Sequence, residues 1–147
     1  MDDDRITVRV GRWAELGTVA SALRRAVFVE EQGVPLDMEW DGEDEGALHA
    51  VAFDAAGTPL ATGRLLAQAP GVARIGRMAV DRAARGRGLG RKVLDALLDA
   101  ARAQGFREAL LHAQCTVRGF YAAAGFTEHG PVFEEAGIEH VEMVRAL

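Results

Sequence analysis

Hydrophobic positions in the first half of the chain follow two periods, and each period predicts a type of element. Strict alternation over residues 5–10 (RITVRV) predicts a strand, and apolar residues at helical spacing predict an amphipathic helix over 13–27. Three apolar runs follow at 47–53, 60–68 and 73–80, and turn sequences such as DAAGTP and PG join them. Short strands joined by such turns predict an antiparallel meander.

The second half of the chain alternates helical and extended patterns. An apolar stripe predicts a helix over 88–104 that ends at Gly105, and a second helix is predicted over 117–124. Further strands are predicted at 109–113, 126–130 and 140–145, with PVFEEAGIE as a loop between the last two. The predicted order is β-α-(α)-β-β-β-α-β-α-β-β, which favours one mixed α/β domain over residues 1–147.

Composition and charge restrict the class of protein. The chain has 147 residues, is 49% hydrophobic and carries a formal charge of −5, which suits one globular domain and argues against a dedicated nucleic-acid binder. It has no apolar run of membrane-spanning length and begins with the acidic MDDDR, so we expect a cytoplasmic protein without membrane contact. A lone cysteine, Cys115, excludes an internal disulfide, and we expect no bound metal.

Two segments depart from the even distribution of charge. Residues 39–45 (EWDGEDE) hold five carboxylates, including Asp41 and Asp44. They form either a solvated loop or the border of a site that attracts a cationic substrate. Residues 82–92 hold five basic residues and no acidic one, and this basic segment lies between a predicted strand and a predicted helix.

The basic segment contains RGRGLGRK, in which three glycines precede the helix. Backbone N–H groups at the start of a helix lack intrahelical partners, and the helix dipole favours an anion there. Glycines at positions 86, 88 and 90 would let the anion approach the backbone closely. The sequence has no Walker loop, and Arg91 stands where the dinucleotide fingerprint needs glycine. The expected ligand is therefore a phosphate or pyrophosphate, bound by a loop that is neither a Walker loop nor a dinucleotide fingerprint.

The pattern Arg85-x-x-Gly88-x-Gly90 resembles the acetyl-CoA loop of the GNAT superfamily of N-acetyltransferases, [QR]-x-x-G-x-[GA]. Farther along, GFYAAAGF at residues 119–126 is similar to a second signature of that superfamily, F-Y-x-x-x-G-F. Four further features are similar to its ElaA-like branch: FVEEQGVP at 28–35, DGED at 41–44, His49 and EEAGIEHVEM at 134–143.

This resemblance implies a mostly antiparallel central sheet with one splayed parallel strand pair, flanked by helices. It also implies acetyl-CoA as co-substrate. Met78, Ala79 and Val80 would bind the pantetheine arm through their backbones. The pyrophosphate would contact the glycine loop: Arg85, Gly86, Arg87, Gly88, Leu89, Gly90 and Arg91.

The resemblance also implies that Tyr121 protonates the departing thiolate, since a phenol is protonated at neutral pH. No single base is assigned. The candidates share segments expected to border the acceptor side: Glu30, Glu31, His49, Glu134, Glu135 and His140. Arg77 is an unusual charge for a central strand, so we expect it to point into the acceptor cavity or to pair with a carboxylate there.

The predicted function is acyl transfer from acetyl-CoA to the amine of a small molecule or an exposed protein or peptide amine. One alternative is a non-catalytic acyl-CoA sensor, and another is an RNA binder that uses RGRG as an arginine–glycine tract. The acidic residues favour a cationic amine over an acidic one as acceptor. An edge strand near the C-terminus would allow a homodimer.

Overall fold

The computed structural model describes residues 5–147, and that part of the chain forms one seven-stranded sheet with helices on both faces. The strands are β1 (Thr7–Arg12), β2 (Leu48–Phe53), β3 (Pro59–Ala69), β4 (Val72–Val80), β5 (Glu108–Gln114), β6 (Thr127–Glu135) and β7 (Ile138–Ala146). The α-helices are α1 (Trp13–Arg24), α2 (Leu36–Glu39), α3 (Leu89–Ala103) and α4 (Arg118–Ala123). None of the described helices has the length and hydrophobicity of a membrane span.

The sheet has the strand order β1-β2-β3-β4-β5-β7-β6. Strands β1 to β4 form an antiparallel meander, and β5, β7 and β6 are also paired antiparallel. Strands β4 and β5 are parallel neighbours, and α3 provides the crossover between them. The mixed α/β class and the single parallel pair within a mostly antiparallel sheet are therefore confirmed.

The two faces of the sheet are covered by different helices. The apolar stripe of α3, including Val93, Leu94 and Leu97, is fully buried in the main core cluster with Ile75 of β4 and Leu111 of β5. On the opposite face, α1 packs its own apolar positions against β2. Alternate residues of a strand point to opposite faces, so β4 and β5 contribute apolar residues to the α3 side and polar residues to the other side.

The predicted loop over residues 131–139 is wrong, because strands β6 and β7 continue through most of it. They meet at a two-residue turn in which Ala136 and Gly137 both have positive φ, 54° and 76°. Such a turn matches the twist of a hairpin. A register shift between His129 and Phe133 absorbs the irregular GPV sequence that suggested a loop.

The first predicted helix also ends later than expected. Helix α1 is followed without a break by a π-helical segment, Arg25–Glu31, so the helical path extends beyond residue 27. Two backbone bonds finish the segment: Gln32 N–H donates to Val27 C=O at 3.0 Å, and Gly33 N–H donates to Val29 C=O at 3.1 Å. π-Helical turns are rare and occur frequently at functional sites.

Candidate active site

An opening between β4 and β5 is the central feature of the sheet. The two strands pair only from Val72 to Ile75 of β4 and from Glu108 to Leu111 of β5, although each strand continues for three or more residues beyond this pairing. Past Ile75, therefore, the edge of β4 that faces β5 has no partner among the described strands. An added extended ligand can pair with such a free edge.

A bulge in β4 accompanies the opening. The β3–β4 register shifts between Thr62 and Arg64, and Arg77 on the bulged strand has a positive φ of 52°. Gly63 lies opposite the bulge, and a Cβ at that position would stand 2.5 Å from the Sδ atom of Met78. A side chain at position 63 would therefore collide with the bulged strand, and glycine allows β3 to stay paired while β4 bends.

A cavity of about 840 Å³ passes through this opening. One part of its wall is the glycine loop, including Gly86, Gly88 and Gly90, and the middle part includes Met78, Ala79 and Tyr121. The remaining wall belongs to the polar face of the sheet and the loops above it. Its charged and titratable residues are Glu39, Asp41, Glu43, Arg64, Arg74, Arg77, His112, Glu135 and His140.

The glycine loop leaves the N-terminus of α3 accessible. Gly88 is the N-cap and has a left-handed φ of 75°, and Gly86 has a φ of 82°. Among residues 5–147, no side chain caps the helix, and no heavy atom lies within 4 Å of the place where either glycine would carry a Cβ. The first N–H groups of the 15-residue helix are thus available to an anion, with the dipole oriented to favour it.

Two arginines of this loop are already engaged with carboxylates. Arg85 donates from its two terminal nitrogens to Glu31 at 2.5 and 2.6 Å and from Nε to the carbonyl of Val80 at 3.1 Å. Arg91 pairs with Asp95, one turn farther along α3, at 3.0 Å. Neither side chain is therefore a free positive charge beside the glycine loop. The first backbone N–H groups of α3, by contrast, are not capped by any described side chain.

Tyr121 of α4 lies in the wall of the cavity at the opening. It is 7% exposed, and its ring makes edge-to-face contacts with Phe120 and Phe126 at centroid distances of 5.0 and 6.0 Å. Its hydroxyl makes no hydrogen bond to another residue of the described range. Burial raises the pKa of Tyr121 to about 12, because the charged phenolate is disfavoured away from water. The hydroxyl is therefore a protonated donor at neutral pH.

A buried ion-pair network forms the other end of the cavity. Its members are Arg24, Arg64, Arg77, Glu39, Asp41 and Asp44. Arg24 reaches Glu39 and Asp44, each at 2.7 Å, and Arg64 contacts Asp44 at 3.0 Å and Asp41 at 2.7 Å. The expectation that Arg77 pairs with a carboxylate is confirmed, because it lies 3.2 Å from both Glu39 and Asp41.

This network has three positive and three negative side chains, so it adds no net charge to the cavity. Burial by itself would raise the pKa of Asp41, but the hydrogen bond from Arg64 and the neighbouring positive charges hold it well below its usual range. The pKa of Asp44 is lowered in the same way, with Arg24 as its main partner. The sequence suggested either a solvated loop or a free acidic border. Asp41 and Asp44 are neither, since both are bound to arginines.

Comparison with known proteins agrees with this geometry. Residues 20–147 match the acetyltransferase (GNAT) domain family. The chain belongs to that family. GNAT enzymes use an acyl-CoA as co-substrate, and this GNAT protein is an N-acetyltransferase whose acceptor the comparisons do not identify.

The GNAT domain is similar to its relatives over nearly its whole length. The crystal structure of an acyl-CoA N-acyltransferase from Pseudomonas aeruginosa is 32% identical, with a TM-score of 0.86 over 97% of this chain and 100% of the other. Escherichia coli ElaA is 28% identical, with a TM-score of 0.85 over 96% and 99%. The N-acetyltransferase YjcF of Bacillus subtilis, which is uncharacterized, is 32% identical over 84% of this chain and 87% of its own.

Among the candidate bases, His140 and Glu135 line the cavity of this acetyltransferase. The Nδ1 atom of His140 lies 2.7 Å from the carbonyl of Ile138. A carbonyl only accepts, so Nδ1 carries the proton and the lone pair of the neutral ring is on Nε2. The His140 ring stacks on Phe133 at 5.9 Å, which fixes its plane.

The other candidate bases lie elsewhere. Glu30 and Glu134 are exposed and are not part of the cavity wall, and Glu31 is held by Arg85. His49 is 1% exposed, packs on Trp13 at 4.9 Å and contacts the carbonyl of Asp44 through Nε2 at 2.9 Å. Burial lowers the pKa of His49. The expectation that His49 borders the acceptor side is wrong, because α1 covers it.

A cluster around His112 was not predicted from the sequence. Its Nδ1 lies 3.1 Å from Arg74 and 3.2 Å from Glu135, and its Nε2 lies 3.4 Å from Glu142. The strand pattern indicated that β5 is buried, but it did not indicate which residues face the cavity. Within residues 5–147, no three His, Cys, Asp or Glu side chains are grouped as a metal site.

Proposed function

We propose that the protein transfers an acetyl group from acetyl-CoA directly to the primary amine of a small molecule or an exposed peptide amine. The observation that carries this proposal is the continuous cavity. It joins the N-terminus of α3, which no described side chain caps, the free edge of β4 and Tyr121. An extended donor with an anionic end and a reactive end fits that sequence of groups.

In this proposal the donor pairs with the backbone of Met78, Ala79 and Val80. The edge of β4 lacks a strand partner there, and the pantetheine arm carries amide groups that can take the place of a strand. The pyrophosphate binds to the N–H groups from Gly86 to Arg91. The empty space above Gly86 and Gly88 supports this placement, since a side chain at either position would enter the space that the phosphates require.

The reaction forms a carbon–nitrogen bond, breaks a carbon–sulfur bond and moves two protons. The neutral amine nitrogen attacks the thioester carbonyl carbon, the carbon–sulfur bond breaks, and the sulfur leaves with the electron pair. Tyr121 donates its proton to that sulfur, and a base removes a proton from the amine nitrogen. We assign the base to His140, whose unprotonated Nε2 belongs to a ring fixed by Ile138 and Phe133 in the cavity wall.

The cavity also suggests the charge of the acceptor. Glu43 and Glu135 line the cavity, and the described chain offers neither of them an arginine partner. These two carboxylates, rather than Asp41 and Asp44, would attract an ammonium group. We therefore propose a cationic primary amine as acceptor.

The decisive experiment follows CoA thiol release over polyamines, aminoglycosides, amino acids and peptides. We expect turnover with at least one cationic amine and a melting temperature that rises with acetyl-CoA. Tight binding of acetyl-CoA without thiol release on any amine would favour the sensor alternative. RNA binding that weakens with salt and does not compete with acetyl-CoA would favour the RNA-binding alternative.

A further inference from the structure

Two consecutive residues at the end of the π-helical segment reach both sides of the opening between β4 and β5. Glu31 contacts Arg85, which follows β4, through both carboxylate oxygens at 2.5 and 2.6 Å. Gln32 and Gln114, the last residue of β5, exchange two side-chain amide hydrogen bonds at 3.3 and 3.0 Å. We call residues 31 and 32 the strap. The strap connects the two strands at the point where they have separated.

The strap depends on the irregular backbone that precedes it. A π-helical segment places its last residues differently from a continued α-helix. The strap ends at Gly33, whose φ of 74° turns the chain away. Phe28 and Gln32 from this region line the cavity. One strap residue, Gln32, therefore belongs to the wall of the proposed donor and acceptor site.

The Glu31 contact places a carboxylate on the loop that is proposed to hold the pyrophosphate. Carboxylate and phosphate oxygens both bind the guanidinium fork in the same bidentate way. Both partners are accessible, since the side chain of Arg85 is 41% exposed and that of Glu31 is 26% exposed. A pyrophosphate at Gly86 to Arg91 would meet the like charge of Glu31 at its edge and would compete for the same arginine.

We propose that Glu31 is an internal competitor for the donor site. Its carboxylate holds Arg85 while the site is free, and the pyrophosphate of the donor displaces it, so that donor binding releases the strap from the β4 side. This inference rests on the proposed acyl-CoA site. The new element is that Glu31, a residue outside the glycine loop, weakens donor binding. Through the strap, Glu31 also couples donor binding to the segment above the acceptor side.

The test compares Glu31→Gln with Glu30→Gln by calorimetric titration of CoA. Both variants remove one negative charge from adjacent exposed positions, but Glu30 forms no ion pair within residues 5–147. We expect Glu31→Gln to bind CoA about two- to fivefold more tightly, the size of an exposed charge pair, and Glu30→Gln to match the wild type. The gain should shrink in high salt. Stopped-flow mixing should show faster association for Glu31→Gln.

The outcomes separate the inference from the proposed function. If the wild type does not bind CoA, the proposed donor site is wrong, and the inference fails with it. If the wild type binds CoA and Glu31→Gln binds it equally well or more weakly, the site stands and the competitor is refuted, because the Glu31–Arg85 pair would then support the loop. Equal tightening in Glu30→Gln would assign the effect to overall charge and would also refute the inference.

Discussion

Replacing Tyr121 by phenylalanine tests the proposed chemistry with the smallest change in structure. The substitution removes one hydroxyl and keeps the ring, whose edge-to-face contacts with Phe120 and Phe126 remain. No described residue forms a hydrogen bond with that hydroxyl, either as donor or as acceptor. The usual cost of about 0.5–1.5 kcal/mol for a lost hydrogen bond therefore does not apply. We expect the free energy of unfolding to stay within about 0.5 kcal/mol of the wild type.

The catalytic effect should be much larger. The pKa of Tyr121, raised to about 12, keeps the phenol protonated throughout the range of an enzyme assay. A positioned acid contributes about 10²–10⁴-fold, so kcat should fall by that factor, or about 2.7–5.5 kcal/mol at 1.36 kcal/mol per tenfold. The wild-type rate should also show no decline below about pH 11 that is due to loss of this proton.

The assay is thiol release under saturating acetyl-CoA, with the dissociation constant measured separately by titration. Phe126→Leu is the control, because it disturbs the packing behind Tyr121 and leaves the hydroxyl in place. It should cost about 1 kcal/mol of stability and keep kcat within a few-fold. Turnover of Tyr121→Phe within a few-fold of the wild type would refute the assignment of Tyr121 as the acid. A matching loss in Phe126→Leu would attribute the effect to packing.

Three further predictions concern binding and stability. Gly88→Asp should abolish the rise in melting temperature caused by acetyl-CoA, worth about 2.7 kcal/mol at 100 times the dissociation constant. Gly57→Asp, at another open glycine with positive φ, should retain it, and a full shift in Gly88→Asp would exclude the phosphate site. Arg24→Gln should lower the free energy of unfolding in urea by about 3–5 kcal/mol, because it leaves the buried network with three carboxylates and only two arginines. The control Arg25→Gln, at an exposed position, should lower the free energy of unfolding by less than about 0.5 kcal/mol. Equal losses of stability in the two variants would argue against a stabilising role of the network. The lowered pKa of Asp44 means that its stabilising effect is complete above about pH 5 and is lost as the pH falls below about 4. In Asp44→Asn, the free energy of unfolding should therefore fall less steeply than in the wild type as the pH is lowered below about 4. Equal slopes for the two proteins would contradict this.

The glycine loop and the start of α3 could be predicted from local sequence, because local geometry determines them. Glycines at fixed spacing before an apolar stripe specify a tight loop and a helix start, wherever the rest of the chain lies. Gly86 and Gly88 indeed have the positive φ angles that such a loop requires. The resemblance of residues 119–126 to a GNAT signature singled out Tyr121, which lies on a short helix in the wall of the cavity.

The acceptor side could not be predicted in the same way. Arg24 and Asp44 are 20 residues apart, and Arg77 and Asp41 are 36 apart, so their contacts depend on the complete sheet. All but one of the 17 Lys and Arg residues are arginines, and the sequence gives no sign of which of them are buried. Alternation along β5 does not show that His112 faces a cavity. The cavity exists only because β5 separates from β4, and the sequence of β5 does not encode that separation.

The two halves of the proposed site therefore consist of different kinds of group. Backbone groups of β4 and of the glycine loop form the donor half, and they depend on glycine positions and strand geometry that side-chain changes elsewhere leave intact. The acceptor half consists of side chains from α1, from residues 39–45 and from the polar face of the sheet. One substitution among them changes the charge of that half. Relatives with the same fold can therefore keep one donor and differ in acceptor. We propose that Glu43 and Glu135 select the acceptor, because the ion-pair network beside them carries no net charge, so the panel of amines should include cations that match these two carboxylates.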